Sequence, residues 1–136
     1  MNGIWDPKKL NVNCNGRDVS GMSQADGFFK IEPVTKEYIL SQVGIKGDWN
    51  ISEVYDGRVK LTITLLGDSP ENEFFYALGE GRLPCVFTVK DKSDGGMLGF
   101  SAQGRVWERP NIERGKEYKD RAWVFLLPDY KGVLTA

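Results

Sequence analysis

Between Val59 and Leu65 apolar and polar side chains alternate without a break, with Val59, Leu61, Ile63 and Leu65 on one side and Lys60, Thr62 and Thr64 on the other. Successive side chains of a strand point to opposite faces, so this run predicts a strand with one face in a core and one face wet. The same period recurs near the start, where Leu10, Val12 and Cys14 alternate with asparagines and Asn15 and Gly16 form a tight-turn pair ahead of Asp18 and Val19. Residues 28–34 predict a strand with Phe29, Ile31 and Pro33 on its apolar side and Lys30 and Glu32 outward. It ends near Pro33 because proline brings no N–H to the ladder.

Residues 37–55 carry Tyr38, Ile39, Val43, Ile45, Trp49, Ile51 and Val54, which predict two strands bent into a hairpin at Gly44 to Gly47. Asp56 and Gly57 then turn the chain into the alternating strand. Residues 84–90 predict another strand, with a return at Asp94, Gly95 and Gly96. Two long β-rich runs, 98–107 and 118–127, are separated by a projecting loop, 108–117, that holds Pro110, Asn111 and Gly115, and 128–136 reads as a short arm.

One segment has a helical rather than a two-residue pattern. Ser69 fits an N-cap, Pro70 the first helical position, and Glu71 and Glu73 the positive end of the helix dipole. Phe74, Ala77 and Leu78 fall on one face with Phe75 beside it, and Gly79 fits the stop, so a short helix over about 70–78 is expected to flank the sheet. The resulting expectation is a mainly β chain, an antiparallel β-sandwich or barrel of about seven or eight strands with one short flanking helix. No internal repeat or linker divides it, so residues 1–136 read as a single domain.

Composition narrows the function more than the fold. The 18 basic and 19 acidic residues leave a net charge of −1, which disfavours a general electrostatic grip on nucleic acid. No run is long and apolar enough to span a membrane as a helix, the first residues lack a signal-peptide plan, and cytoplasmic synthesis is expected. Cys14 and Cys85 have no metal-like spacing and read as free thiols.

The chain contains no histidine, which removes the commonest general base, the partner of Ser and Cys nucleophiles, and the commonest metal ligand. The carboxylate pairs Glu108 with Glu113 and Asp48 with Glu53 would suit acid/base work on a sugar, but they fit solvated loops and strand faces better. Asp91, Asp94 and Glu108 match no cation-wrapping loop, and Gly79 to Gly81 follows a helix, where phosphate cradles precede one. Trp49, Trp107, Trp123, Phe100 and Phe125 read as core aromatics rather than a stacking platform. No catalytic, cofactor or metal site is expected. The wet face of Lys60, Thr62 and Thr64 is open to three readings: solvent, a ligand cavity, or the inside of a larger barrel built from several copies.

Particular residues, in order, resemble the tail tube proteins of contractile-tailed bacteriophages. The resemblance runs through Trp5 to Leu10 with Val12 and Gly16, Ser20 and Gly21, Ala25 to Phe28, Val43 to Gly47, Gly57 to Leu66, Asp68 to Phe74 with Ala77 and Leu78, Phe87 to Asp91, Ala102 to Trp107, and Arg121 to Trp123. Ser23 and Gln24 look like a small insertion, and the family's Gly-Ala-Asp-Gly turn stands here as Gly44, Ile45, Lys46 and Gly47.

The resemblance implies a non-enzymatic virion protein. Its copies would form hexameric rings that stack into a hollow tube inside a contractile sheath, assembled in the host bacterial cytoplasm. The implied partners are itself, the sheath protein, the tape measure protein, a baseplate initiator, and genomic DNA passing through the lumen without sequence-specific binding. On that reading Lys30, Glu32, Lys60, Thr62 and Thr64 face lumen or solvent. Gly44, Lys46, Gly47, Asp48, Arg109, Asn111 and Glu113 make contacts between rings. The alternatives are a tube or end-ring protein of a contractile injection system or tail tip and, from a different class, a monomeric β-barrel binding module.

Overall fold

The computed structural model describes residues 7–23, 27–93, 96–117 and 119–134. Trp5, Asp6, Gln24, Ala25 and Asp26 of the resemblance, Asp94 and Gly95 of the expected return, Tyr118, and Thr135 and Ala136 of the expected arm lie outside the described residues. Among the described residues a short 3-10 turn, Pro7–Lys9, leads into ten strands and one helix: β1 Leu10–Cys14, β2 Arg17–Asp18, β3 Phe29–Pro33, β4 Ile39–Val43, β5 Trp49–Glu53, β6 Val59–Leu65, α1 Glu71–Glu80, β7 Cys85–Asp91, β8 Met97–Glu108, β9 Arg121–Leu127 and β10 Lys131–Leu134. Eight form one antiparallel sheet in the order β2-β1-β7-β8-β9-β6-β3, with β10 also on β8, while β4 and β5 form a separate two-stranded sheet.

The mainly β expectation with one helix holds, and the strand count is higher because the tail is not a loose arm. Residues 131–134 pair with β8 from Lys131 opposite Phe100 to Leu134 opposite Met97, extending the lane that β9 occupies along the other half of β8. Between β9 and β10, Asp129 accepts hydrogen bonds from the Ser101 hydroxyl at 2.5 Å and from the N–H groups of Ala102 and Gln103 at 3.2 and 3.3 Å. These bonds hold the carboxyl of Asp129 below its ordinary pKa, the Ser101 bond most of all. Satisfying three donors at mid-strand fixes where β8 passes from one half of the sheet to the other.

The halves meet in one core. Val12 and Cys14 of β1, Phe87 and Val89 of β7, Leu61 and Ile63 of β6 and Trp123, Phe125 and Leu127 of β9 are all buried in a single cluster. Phe125 stands edge-on to Phe75 of α1 at 5.0 Å and to Phe87 at 4.8 Å, and Phe75 is edge-on to Trp123 at 5.8 Å. Gly104 of β8 makes this possible: a Cβ there would lie 2.7 Å from Leu127 and 2.8 Å from Phe87. Cys14 and Cys85 are free and buried in the same cluster. Their mutual hydrogen bond, then burial, pushes the Cys14 thiol well above its usual range.

The expected Asn15–Gly16 turn is present, with both residues at positive φ (53° and 82°), as a two-residue hairpin requires. The helix departs from expectation at both ends. It starts at Glu71, with Pro70 as the cap residue, and runs through Gly79 to Glu80, where Gly81 caps it. Ser69 acts one position earlier, accepting the Glu71 N–H at 3.3 Å while donating to the Ser20 carbonyl at 3.1 Å. Its buried face is Phe75 and Leu78 with Glu71 and Asn72, whereas Phe74 is half-buried and Ala77 exposed. Asn72 is inside because it is satisfied, donating to the Leu66 and Ser69 carbonyls and accepting from the Trp123 indole at 2.9 Å. Arg17 Nε lies 2.8 Å from the buried Glu71 carboxylate and its guanidinium covers Phe74 at 4.9 Å. Among the described residues that carboxylate oxygen has no aligned hydrogen-bond donor, so the pair is held by charge attraction.

Truncating the shared ring, Phe125→Ala, is expected to destabilise the fold by about 3–5 kcal/mol. Gly104→Ala is expected to cost about 1–3 kcal/mol by overpacking. Denaturant unfolding of the two variants checks both, and near-wild-type midpoints would contradict the packing described.

Candidate functional site

The most unusual surface is the β4–β5 hairpin. Its strands pair from Ile39 opposite Glu53 to Val43 opposite Trp49, and Gly44 N–H to the Asp48 carbonyl at 2.6 Å closes the turn. All ten strand residues are exposed. The register sorts them: Ile39, Val43, Trp49 and Ile51 share one face, while Gln42 and Asn50 share the other and hydrogen-bond at 3.4 Å. Trp49 is 71% exposed and Val43 74%, so an apolar face stands open on a hairpin that, among the described residues, pairs with no other strand. A lone two-stranded hairpin is marginally stable in water, and a contiguous apolar face of this kind marks an interaction surface.

The root of the hairpin is tied firmly. Asp56 accepts from the Thr35 hydroxyl at 2.7 Å, from Arg58 Nε and Nη2 at 2.9 Å each and from the Arg58 N–H at 3.1 Å, beside a Val34 N–H bond to the Arg58 carbonyl at 3.1 Å. The Arg58 guanidinium, then the Thr35 hydroxyl, hold the Asp56 carboxyl well below the usual carboxylate range.

The two strands expected to be wet on one side lie side by side. Lys30 of β3 is opposite Thr62 of β6 and Glu32 is opposite Lys60, so Lys30, Glu32, Lys60, Thr62 and Thr64 share one outer face, continued by Leu126 of β9 opposite Lys60. Its lysines are partnered: Lys30 pairs with Glu32 at 3.0 Å, which lowers the Glu32 pKa, and Lys60 Nζ sits 5.8 Å above the Trp107 ring. Among the described residues the outer edges of β2, β3 and β10 carry no further strand.

The remaining expected positions fall in two places. Gly44, Lys46, Gly47 and Asp48 form the hairpin tip. Arg109, Asn111 and Glu113 lie in the exposed segment after β8, where Arg109 pairs with Glu80 at 3.0 Å and, with Asn111, lines a cleft beside α1. Asp48 and Glu53 stand at opposite ends of β5, so they are not brought together as a catalytic pair. No helix is long and apolar enough to cross a membrane, and no group of three or more Cys, Asp or Glu could hold a metal ion, both among the described residues.

The core reading of the aromatics is corrected for three of five. Trp123 and Phe125 are buried, but Trp49, Trp107 and Phe100 are 71%, 49% and 47% exposed. Trp49 lies on the β4–β5 hairpin, whereas Phe100 and Trp107 lie on β8.

No family model and no curated protein matches the chain in sequence. Solved structures match its fold. The anti-feeding prophage cap, described as the AFP tube terminating cap, superposes with a TM-score of 0.61 at 8% identity over 99% of this chain and 94% of that one. A chain of the PVC sheath–tube complex, an extracellular contractile injection system in the extended state, gives 0.60 at 8% identity over 97% and 93%. A chain of the PVC sheath/tube terminator gives 0.55 at 9% identity over 96% and 96%. At these identities the likeness is one of fold, a tail tube-like β fold.

A carboxyl depressed on folding stabilises above its unfolded pKa, 3.8 for Asp56, and loses that effect as pH falls below it toward the folded value. The amide shift of Arg58, whose N–H donates to Asp56, is therefore expected to hold steady from about pH 7 to 5 and to move only below about pH 4. Asp56→Asn should give the low-pH shifts at neutral pH. Wild-type shifts in that variant would contradict the root described.

Proposed function

We propose that this chain is a structural, non-enzymatic subunit of the tube of a contractile tail or injection machine, acting as one domain whose work is assembly. The open apolar face of the β4–β5 hairpin carries the reading. Burying Ile39, Val43, Trp49 and Ile51, which are 43–74% exposed, would contribute on the order of 5 kcal/mol per subunit before association costs. The likeness to tube and tube-terminator structures supports the same reading.

Within it, the open edges of β3 and β10 pair between neighbours to close a ring, which removes edges that otherwise invite aggregation. Six copies per ring is the number that the sequence resemblance implies. The hairpin tip, with Gly44, Lys46, Gly47 and Asp48, and the loop of Arg109, Asn111 and Glu113 make the contacts between stacked rings. The face of Lys30, Glu32, Lys60, Thr62 and Thr64 lines the lumen. Lys30 is already paired with Glu32, which leaves Lys60, over the Trp107 ring, as the uncompensated charge among these five residues, so the wall grips a passing polyanion weakly. A sheath surrounds the tube, a tape measure protein and an initiator set its start and length, and DNA is the cargo in the phage version. In the phage version the particle is a virion tail assembled in the host cytoplasm. The tube terminators among the structural matches favour an end-ring role as the second reading.

Sedimentation across a concentration series tests this. The wild type should pass from monomer to rings or filaments, and Trp49→Ser should raise the concentration needed by at least about ten-fold while leaving the unfolding free energy within about 0.5 kcal/mol, as for other surface changes. A wild type that stays monomeric at every concentration, with and without a preformed tube end, would support a binding module instead.

A further inference from the structure

The large sheet carries a second open apolar surface, on the side that points away from the core. In β7 and β8 the buried positions Phe87, Val89, Gly99 and Ser101 alternate with outward ones. Phe100 lies opposite Thr88 on one side and Lys131 on the other, and Leu98 lies between Lys90 and Val133. Leu98, Phe100 and Val133 are therefore neighbours on one outer face, 47%, 47% and 66% exposed, with Lys90 and Lys131 flanking them. The carboxylates of this part of the sheet are engaged or turned away. Asp91 shares the opposite face with Met97 and accepts from the Ser93 N–H at 3.0 Å, and Asp129 is held by Ser101 and two backbone N–H groups. Asp18, on the edge strand β2, accepts from Asn13 at 3.1 Å, and Glu108 stands at the far end of β8.

The hairpin has the converse charge. By register Ile39, Ser41 and Val43 share a face with Glu53, Ile51 and Trp49, so Glu53 is the one ionisable group among the strand residues of its apolar face. The tip adds one lysine and one carboxylate, Lys46 and Asp48, which offset each other. Among the described residues none of Glu53, Lys90 and Lys131 is in an ion pair.

We propose that the outer face of β7, β8 and β10 receives the apolar face of the β4–β5 hairpin of a second copy of the chain. Val43, Trp49 and Ile51 then cover Leu98, Phe100 and Val133, and Glu53 faces the two lysines. The inference rests on the tube reading and names the surface that covers its hairpin. Charge selects the pairing: hairpin on hairpin sets Glu53 against its own copy, and sheet on sheet sets the lysines against theirs, whereas hairpin on sheet brings a carboxylate to two unpaired lysines. Like-with-like contact also closes at two copies. A contact between two different surfaces of one chain leaves each copy with a free surface for the next, as a ring or a stack requires. Two β faces suit each other sterically, because outward side chains of packed sheets interdigitate.

Cross-linking between two singly substituted proteins tests the contact. Ser41→Cys and Thr88→Cys sit on the two faces and leave their apolar and charged side chains in place. The variants are mixed under assembling conditions and treated with a short bismaleimide; Cys14 and Cys85 are buried and should stay unreacted, with wild type as the control. A cross-linked heterodimer that forms only in the mixture is expected. Glu53→Lys should raise the assembly concentration by about two- to five-fold, the range of an exposed ion pair, and adding Lys90→Glu and Lys131→Glu to the same chain should restore it. A cross-link formed by the Ser41→Cys protein alone would place hairpin against hairpin and overturn the docking. Assembly without the mixed cross-link, or without charge-swap rescue, would also overturn it while leaving the tube reading in place. No self-association by wild type, with and without a preformed tube end, would overturn both.

Discussion

The edge-on contacts of Phe125 with Phe75 and Phe87 tie together three parts of the molecule that are distant in sequence: the helix, the β1–β7 side of the sheet and the β6–β9 side. Each surrounding feature serves that junction. Gly104 leaves room for it, Asp129 fixes the passage of β8 that brings the two sides over one another, and the Asn72 bond to Trp123 sets the helix at the depth Phe75 needs. A polar pair at the heart of the helix contact is tolerated because both partners are satisfied, where an unpaired one would cost about 1–3 kcal/mol.

The apolar residues of this chain therefore form two sets with different roles. One closes on itself within the subunit. The other, on the β4–β5 hairpin, is held out on a root of charge-assisted hydrogen bonds and leaves much of its apolar surface in water after folding. On the tube reading proposed above, a fixed root with an unburied face would separate folding from assembly, because the contact would add stability only when another surface covers that face.

Much of this was legible in the sequence where one face of an element is buried and the other wet. The alternation of 59–65, the pair Lys30 and Glu32 outward, the hairpin at 39–53 and the presence of a short helix all emerge from period and turn residues. What escaped depends on long-range partners. Ser69 and Gly79 looked like helix ends by type, but Ser69 is shared with Ser20 and Gly79 lies within the helix, its Cα side against Val106. The tail at 131–134 has a weak pattern of its own and becomes a strand because β8 extends past β9. Trp49 was read as core for its chemistry alone. Hydrophobicity says that a side chain will be covered, and it does not say whether the cover comes from the same chain. The cleft beside α1 combines residues from three segments and had no sequence signal beyond Arg109 and Asn111.

Hydrogen exchange of the hairpin amides, compared between dilute and assembled protein, tests the central claim most directly. The account predicts that amides of residues 39–53 exchange rapidly in the dilute protein and become strongly protected on assembly, while β6 and β9 are protected in both states. Hairpin amides that exchange equally fast in the assembled protein would contradict it.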